Sequence, residues 1–254
     1  MARSRATWRR WYRSWEEQQE SFNRNRERRF RAMLDLVEAE LPRRFVALDL
    51  GCGPGPLSAR LLERFPRARC VAVDQDPVVL RVGQGALGSL GGRLTWVDAN
   101  LGAPDWTESL PRRRFDVALS TTALHWLTPE HLRRCYRDLA RLVRRGGLFV
   151  NGDRMPWAPE RPELARLAES VRKVRFGGRT LRSEWSAWEA WWRRAENDPV
   201  LGPLFPVREA RGTAHPHHED VGLAGHVRAL RRAGFRRADV VWRDLEDGIL
   251  LARR

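Results

Sequence analysis

Phe45-Val46-Ala47-Leu48-Asp49-Leu50-Gly51-Cys52-Gly53-Pro54-Gly55 is the stretch that decides how this chain reads. An apolar run carrying one acid, Asp49, breaks into three alternating glycines. That pattern predicts a buried strand running into a tight loop. Pro56 then opens a segment with Leu57, Leu61 and Leu62 at helical spacing. Proline suits the first helical position, because its missing N–H would have had no partner there. The predicted unit is strand, glycine loop, helix N-terminus. Glycine tolerates positive φ and lets a ligand lie against the backbone, so the loop is expected to turn free backbone N–H groups toward whatever sits above the strand end. A dinucleotide site asks for G-x-G-x-x-G. The glycines here are 51, 53 and 55, and Pro56 stands where the third glycine of that fingerprint would be.

Downstream the same rhythm repeats. Cys70-Val71-Ala72-Val73-Asp74 reads as a second strand, with Asp76 and Pro77 as cap and first residue of a helix. Asp74 falls about 20 residues past the loop, where a nucleoside site places a carboxylate for the ribose hydroxyls. Leu94 to Asp98 is a third strand ending in an acid, and Phe115 to Ser120 a fourth. Thr128 and Pro129 begin a helix with the stripe Leu132, Cys135, Leu139 and Leu142. Gly146 and Gly147 are expected to end it. Leu148 to Val150 is the fifth strand. Strand and helix in alternation imply a parallel sheet with right-handed crossovers. Near the end, Val221 to Arg232 forms a helix stopped by Gly234. Strands over residues 238–242 and 249–252 follow, turned through Asp247-Gly248.

Two segments stand outside that rhythm. Residues 1–41 read as two helices. The first carries Trp8, Trp11, Tyr12, Trp15 and Gln19 on one face, and is either plain packing or an aromatic lid over the cleft. Residues 154–220 read as an insertion over the C-terminal edge of the strands. Glu163 to Val174 is amphipathic, and Ser183 caps a helix with Trp185, Trp188 and Trp192 on one face. The domain reading is therefore 1–41 helical lid, 42–153 core, 154–220 helical insertion as a substrate cap, and 221–254 last helix and hairpin.

The 254 residues carry a net charge of +15, with Lys173 the only lysine. Such a field favours anionic partners: nucleic acid, acidic metabolites or acidic carrier proteins. Arginine bias also follows from coding composition or thermal adaptation. No run of about 18 apolar residues is present, so no membrane span is expected, and the basic N-terminus lacks the apolar core of a secretory signal. Cys52, Cys70 and Cys135 are scattered and odd in number, which points to reduced thiols in a cytoplasmic setting and away from a cysteine zinc site. His215, His217 and His218 with Glu219 and Asp220 read as a solvated loop, so no metal is expected.

Taken together, Asp-Leu-Gly-Cys-Gly-Pro-Gly, Val-Ala-Val-Asp, Val-Asp-Ala-Asn, Phe-Asp-Val-Ala-Leu-Ser and Arg-Arg-Gly-Gly-Leu resemble the motif series of class I S-adenosylmethionine (SAM) dependent methyltransferases. Ser-Thr-Thr-Ala-Leu-His-Trp-Leu is similar to the trans-aconitate methyltransferase group of small-molecule enzymes. Their stretch reads Ala-Leu-Gln-Trp, so His125 replaces a glutamine. The resemblance implies an α/β, Rossmann-like seven-stranded, mostly parallel sheet with an antiparallel last strand. It implies SAM as cofactor and S-adenosylhomocysteine as product. The implied cofactor residues are Asp49, Gly51, Cys52, Gly53, Gly55, Asp74, Gln75, Asp98, Ala99, Asn100 and Ser120, with Asp98 accepting the adenine amine. The implied substrate residues are Tyr12, Trp15, Gln19, His125, Trp126, Arg154 and Trp157. The expected acceptor is a small, anionic molecule carrying a carboxylate or hydroxyl, and the expected protein a monomer or homodimer. An RNA or protein methyltransferase using the basic surface is the alternative. His125 stands as the catalytic candidate: a base if the acceptor must lose a proton, and a positioning group if it is a carboxylate. The reading leans to positioning.

Overall fold

A computed structural model describes residues 3–22, 25–157, 160–176, 181–212 and 221–254. The histidine-rich stretch 215–218 and the side chain of Trp185 lie outside the described residues. Seven strands form one sheet in the order β3-β2-β1-β4-β5-β7-β6. These are β1 (Val46–Leu50), β2 (Arg69–Asp74), β3 (Leu94–Asp98), β4 (Phe115–Thr121), β5 (Val143–Arg154), β6 (Arg237–Asp244) and β7 (Asp247–Arg253). The first five pair in parallel. β7 runs antiparallel to both β5 and β6. The predicted fold class is the observed one.

Period-two alternation sorts the strands onto two cores. Leu48, Leu50, Val71, Val73, Ala118 and Phe149 face α5 (Pro129–Leu142) and α9 (Gly222–Ala233). Ala47, Ala72, Val117, Leu119 and Val150 face α2 (Arg26–Glu40) and α3 (Pro56–Arg64). Both faces of the central strands are apolar because those strands are covered on both sides, as parallel sheets require. The predicted caps form: the Asp76 side chain accepts from the Val78 and Val79 N–H groups at the start of α4 (Pro77–Leu87), and Thr128 accepts from His131 N–H.

A third core holds Trp8 and Trp11 of α1 (Arg5–Phe22) against Val78, Val79 and Val82 of α4 and Trp191 and Trp192 of α7 (Leu181–Glu196). A Cβ on Gly85 would stand 2.3 Å from the Trp8 ring, so α1 lies directly on α4. α6 (Pro162–Phe176) and α8 (Phe205–Ala210) complete the insertion. Arg208 of α8 stacks over Trp192 at 3.9 Å and pairs with Asp76 at 2.7 Å, tying the insertion to the C-terminal end of β2.

Three local expectations are corrected. α5 ends at Leu142, not at Gly146-Gly147, because Val143 already pairs with Phe115 and starts β5; the glycines sit inside that strand beside a register shift. The final hairpin turns at Leu245-Glu246, with Leu245 at φ 56°, while Asp247 and Gly248 belong to β7. Pairing with Asp153 and Arg154 of β5 draws those two residues into the strand. Ser183 lies inside α7, whose described residues begin at Leu181, and its side chain is outside the described ones.

Candidate active site

The strand order reverses between β1 and β4, and the loops leaving their C-terminal ends diverge there, which is where open α/β sheets bind ligands. The glycine loop leaves β1 and residues 121–125 leave β4. A Cβ on Gly51 would lie 2.3 Å from that of Ala123, so the two loops touch and only glycine fits. Gly51, Gly53 and Gly55 adopt φ of 64°, 55° and 85°. A Cβ on Gly53 would meet only the Trp15 ring, 4.0 Å away. The Trp15 ring thus lies over Gly53.

The loop's amides do not point outward as expected. Cys52 N–H donates to Val73 carbonyl at 3.0 Å, Gly53 N–H to the Asp74 carboxylate at 2.7 Å, and Gly55 N–H to Cys52 carbonyl at 2.9 Å. Short loops of this kind close on their own carbonyls and on the neighbouring strand's acid, and they present bare glycine surface to a ligand. The buried Cys52 thiol is pushed up by burial and contributes packing.

Asp74 links the glycine loop to the start of α4. One oxygen accepts from Gly53 N–H and the other from Asp76 N–H at 2.9 Å. Each carboxylate oxygen keeps a second lone pair for a hydroxyl. Burial pushes its carboxyl up to about 6, against the pull of those backbone donors. Asp49 is buried and also raised to about 6 by burial; Ser58 donates to one oxygen at 2.6 Å and the other has no protein partner. Ala99 is buried, and Asn100 turns back to accept Gly102 N–H. Ser120 is not turned to the cleft: its hydroxyl is spent on Leu50 carbonyl inside the sheet. Asp98 is engaged as well, since Arg211 donates to it at 2.6 Å and to the Gln75 carbonyl at 2.7 Å.

At the end of β5 the structure adds what sequence reasoning missed. His125 Nδ1 lies 2.7 Å from an oxygen of Asp153, which is 2% exposed. Burial alone would raise the Asp153 carboxyl, but the charge and hydrogen bond of His125, the Arg154 N–H and the charge of Arg29 together hold it below its usual value. Arg29 of α2 is fully buried against Gly152 and pairs with Asp247 at 3.1 Å. Asp153 carried a legible signal, an acid at a strand's end like Asp74 and Asp98; Arg29 carried none. Trp126 packs against the His125 ring at 4.5 Å. Tyr12 is half-buried, and burial raises its phenol. Gln19 is half-buried, and its neighbour Gln18 is the buried amide. Trp157 stacks under Arg243 at 3.5 Å, and Arg154 turns outward to Glu246 at 3.0 Å. Gln75 Oε1, Thr121 Oγ1, Asp153 Oδ2 and Trp157 Nε1 are buried without a protein partner, and a polar ligand above these strand ends would satisfy them. These unpartnered groups, acceptors together with the Trp157 N–H and Thr121 hydroxyl donors, beside a glycine loop fit an adenosyl group. Among the described residues no group of His, Cys, Asp and Glu could hold a metal, and no helix is long and apolar enough to cross a membrane.

Residues 47–147 match a family described as methyltransferase domain. A trans-aconitate 2-methyltransferase from Azoarcus sp. (strain BH72) is 34% identical over 138 residues, 54% of this chain and 49% of that protein. Another from Rhodococcus jostii (strain RHA1) is 39% identical over 112 residues, 44% of this chain and 38% of that one. The matches thus span about half or less of the relatives' length. Among solved structures, an O-methyltransferase family protein from Burkholderia thailandensis superposes with a TM-score of 0.55 at 19% identity, covering 88% of this chain and 55% of that one.

Proposed function

We propose that this chain, whose residues 47–147 match a methyltransferase-domain family, is a class I SAM-dependent methyltransferase that methylates a small anionic molecule at an oxygen. SAM supplies a methyl group on a cationic sulfur, open to in-line attack, and leaves as S-adenosylhomocysteine. Gly51, Gly53 and Gly55 form the floor against which it lies, with Cys52 and Gln75 flanking. Asp74 accepts from the ribose hydroxyls. Ala99 and Asn100 border the adenine, and Asp98 reaches its amine once Arg211 gives way. Asp49 and Ser120 hold the loop and sheet beneath. Tyr12, Trp15, Gln19, Trp126 and Trp157 wall the acceptor side. Arg154, paired with Glu246, guards its rim.

The observation that carries the reading is the His125–Asp153 contact at 2.7 Å, beside the loop. A carboxylate on Nδ1 fixes the tautomer in which Nε2 accepts a proton, and it stabilises the imidazolium that results. Attack by an acceptor hydroxyl forms the C–O bond as the C–S bond breaks, and the hydroxyl proton passes to Nε2. A carboxylate acceptor is the second reading, favoured by the names of the relatives; it needs no base, and His125 would then hold it in line.

The test is methyl transfer from labelled SAM to fractionated small-molecule extracts and a panel of carboxylic and hydroxy acids, with RNA and protein fractions in parallel. Label entering the small-molecule fraction is expected, with a rate that rises with pH through the histidine range. Label in RNA or protein alone would overturn the small-molecule reading. A flat profile above about pH 5 would select the carboxylate, since its pKa lies near 4.

A further inference from the structure

We infer that the edge of the sheet opposite the cleft, where β4 and β5 begin, β7 ends and β6 begins, docks the phosphate backbone of a nucleic acid. A concavity of about 680 Å3 opens there, lined by Arg145, Gly146, Arg236, Arg237, Arg253 and Arg254. Tertiary structure assembles it from three separate stretches. Gly146 N–H donates to the Arg254 carbonyl at 2.7 Å and Arg254 N–H to Gly147 carbonyl at 2.9 Å, which binds the β5 start to the β7 end. Arg237 and Arg253 are cross-strand partners, an arrangement of like charges that costs stability and that Glu40, paired with Arg253, offsets only in part.

Local acids do not neutralise the group. Arg253 pairs with Glu40, and Arg144, next in the chain, takes Asp116. Arg254 is spent on the Ala140 and Gly234 carbonyls, at 2.6 and 3.0 Å, where α5 and α9 end. Arg145, Arg236 and Arg237 are exposed and have no ion-pair partner among the described residues. Arg112 and Arg114, exposed just before β4, continue the row, because Phe115 pairs with Val143. Asp239, further along β6, is an exposed acid near the row, and the balance stays strongly positive.

Arginine forks match phosphate oxygens in pairs. The lining holds no aromatic side chain on which a base could stack, so the contact is with backbone and is independent of base sequence. The site lies the length of a β4 strand, roughly 20 Å, from His125. The bound strand is therefore a tether or a location signal, distinct from the methyl acceptor proposed above, and the inference stands whatever that acceptor is.

The test is fluorescence anisotropy of the whole protein with labelled single-stranded RNA and duplex DNA of about 20 nucleotides, between ~50 and ~200 mM salt, where backbone contacts show as a log–log slope. Arg145→Glu/Arg236→Glu/Arg237→Glu is compared with Arg5→Glu/Arg9→Glu/Arg13→Glu, the same charge change on the exposed face of α1, and with the milder triple alanine variant of the edge. Circular dichroism confirms each fold. The expected result is binding near ~150 mM salt that weakens at least about tenfold in the edge variants and far less in the α1 variant. The salt slope should shrink by about 2 on the single-stranded RNA and by about 3 on the duplex, the share of three phosphate contacts. Which of RNA and DNA binds more tightly identifies the source of the backbone. Equal losses in the edge and α1 variants would overturn the proposal. So would absence of binding at ~150 mM salt, or binding only to vesicles rich in phosphatidylserine.

Discussion

Asp74 accepts from two backbone donors, and in the proposed role as acceptor of the ribose hydroxyls its charge state governs cofactor binding. With its carboxyl raised to about 6 by burial, SAM affinity should fall as pH drops through 6, by up to about tenfold per unit, because the ionised form is the acceptor. Asp74→Asn should flatten that dependence and weaken binding by about 1.5–3 kcal/mol, the range for a hydrogen bond to a charged group. Calorimetry across pH 5 to 8 reads both; an unchanged affinity in the folded variant removes Asp74 from the site. The sign for stability is opposite. A carboxyl raised in the folded state favours folding at low pH and loses that contribution as pH rises from about 4 to 6, so the cofactor-free protein should gain nothing from ionising Asp49 and Asp74. His125 and Asp153 form the other residue-scale unit. His125→Gln, the residue of the resembled group, should lower the single-turnover rate on the order of 10² or more with SAM affinity intact, and Asp153→Asn by about tenfold or more. If His125→Gln keeps a tenth of the rate, the histidine only positions the acceptor.

Among the elements, α1 divides its aromatic face between two tasks. Trp8 and Trp11 are buried between α4 and α7, and Trp15, edge-on to Trp191 and Trp192 at 4.8 and 5.9 Å, also stands 4.0 Å from where a Cβ on Gly53 would be. Deleting residues 1–22 would bare the valines of α4, so loss of folding is expected rather than a bound but idle domain. The informative variants are single. Trp8→Ala should cost about 3–5 kcal/mol, as large aromatic truncations in cores do, visible in thermal unfolding. Trp15→Ala, which removes edge contacts to Trp191 and Trp192, should cost less stability than Trp8→Ala and bind SAM more weakly; unchanged SAM binding would make it core alone. α8, in the same core as α1, acts through Arg208, and Arg211 just past its end joins it; they reach Asp76, Asp98 and the Gln75 carbonyl. Arg211→Ala should speed SAM association, because Asp98 no longer has to be released; stopped-flow fluorescence gives the rate, and an unchanged one places Arg211 outside the entry path.

At the scale of the whole molecule the charge of +15 sets a self-repulsion that salt relieves. The folded chain keeps much of its arginine in surface pairs such as Arg64 with Asp35 and Arg28 with Asp244, and such pairs contribute little each. Repulsion should therefore dominate, and the melting temperature should rise between ~50 and ~500 mM sodium chloride as the Debye length falls from roughly 14 to 4 Å. A fall over that range would mean that the pairs outweigh the net charge.

The order strand, glycine loop, helix, and the acids closing successive strands, were determined by the sequence itself. So were the caps at Asp76 and Thr128 and the stop at Gly234. Each is a local preference: period-two burial, positive φ at glycine, or a side chain reaching its own backbone two or three residues on. What lay beyond local preference was decided by packing. Asp153 meets His125 across 28 residues, and Arg29 is buried only because α2 packs on β5 and β7. The Trp8 and Trp11 rings are core, and Trp15 lies over Gly53, because of where α7 and the glycine loop lie. The hairpin turns two residues early because β5 claims Asp247 and Gly248. Three arginine stretches far apart in the chain share one edge because β5, β6 and β7 are neighbours. None of these contacts has a sequence period, since each depends on which surfaces the sheet order brings together.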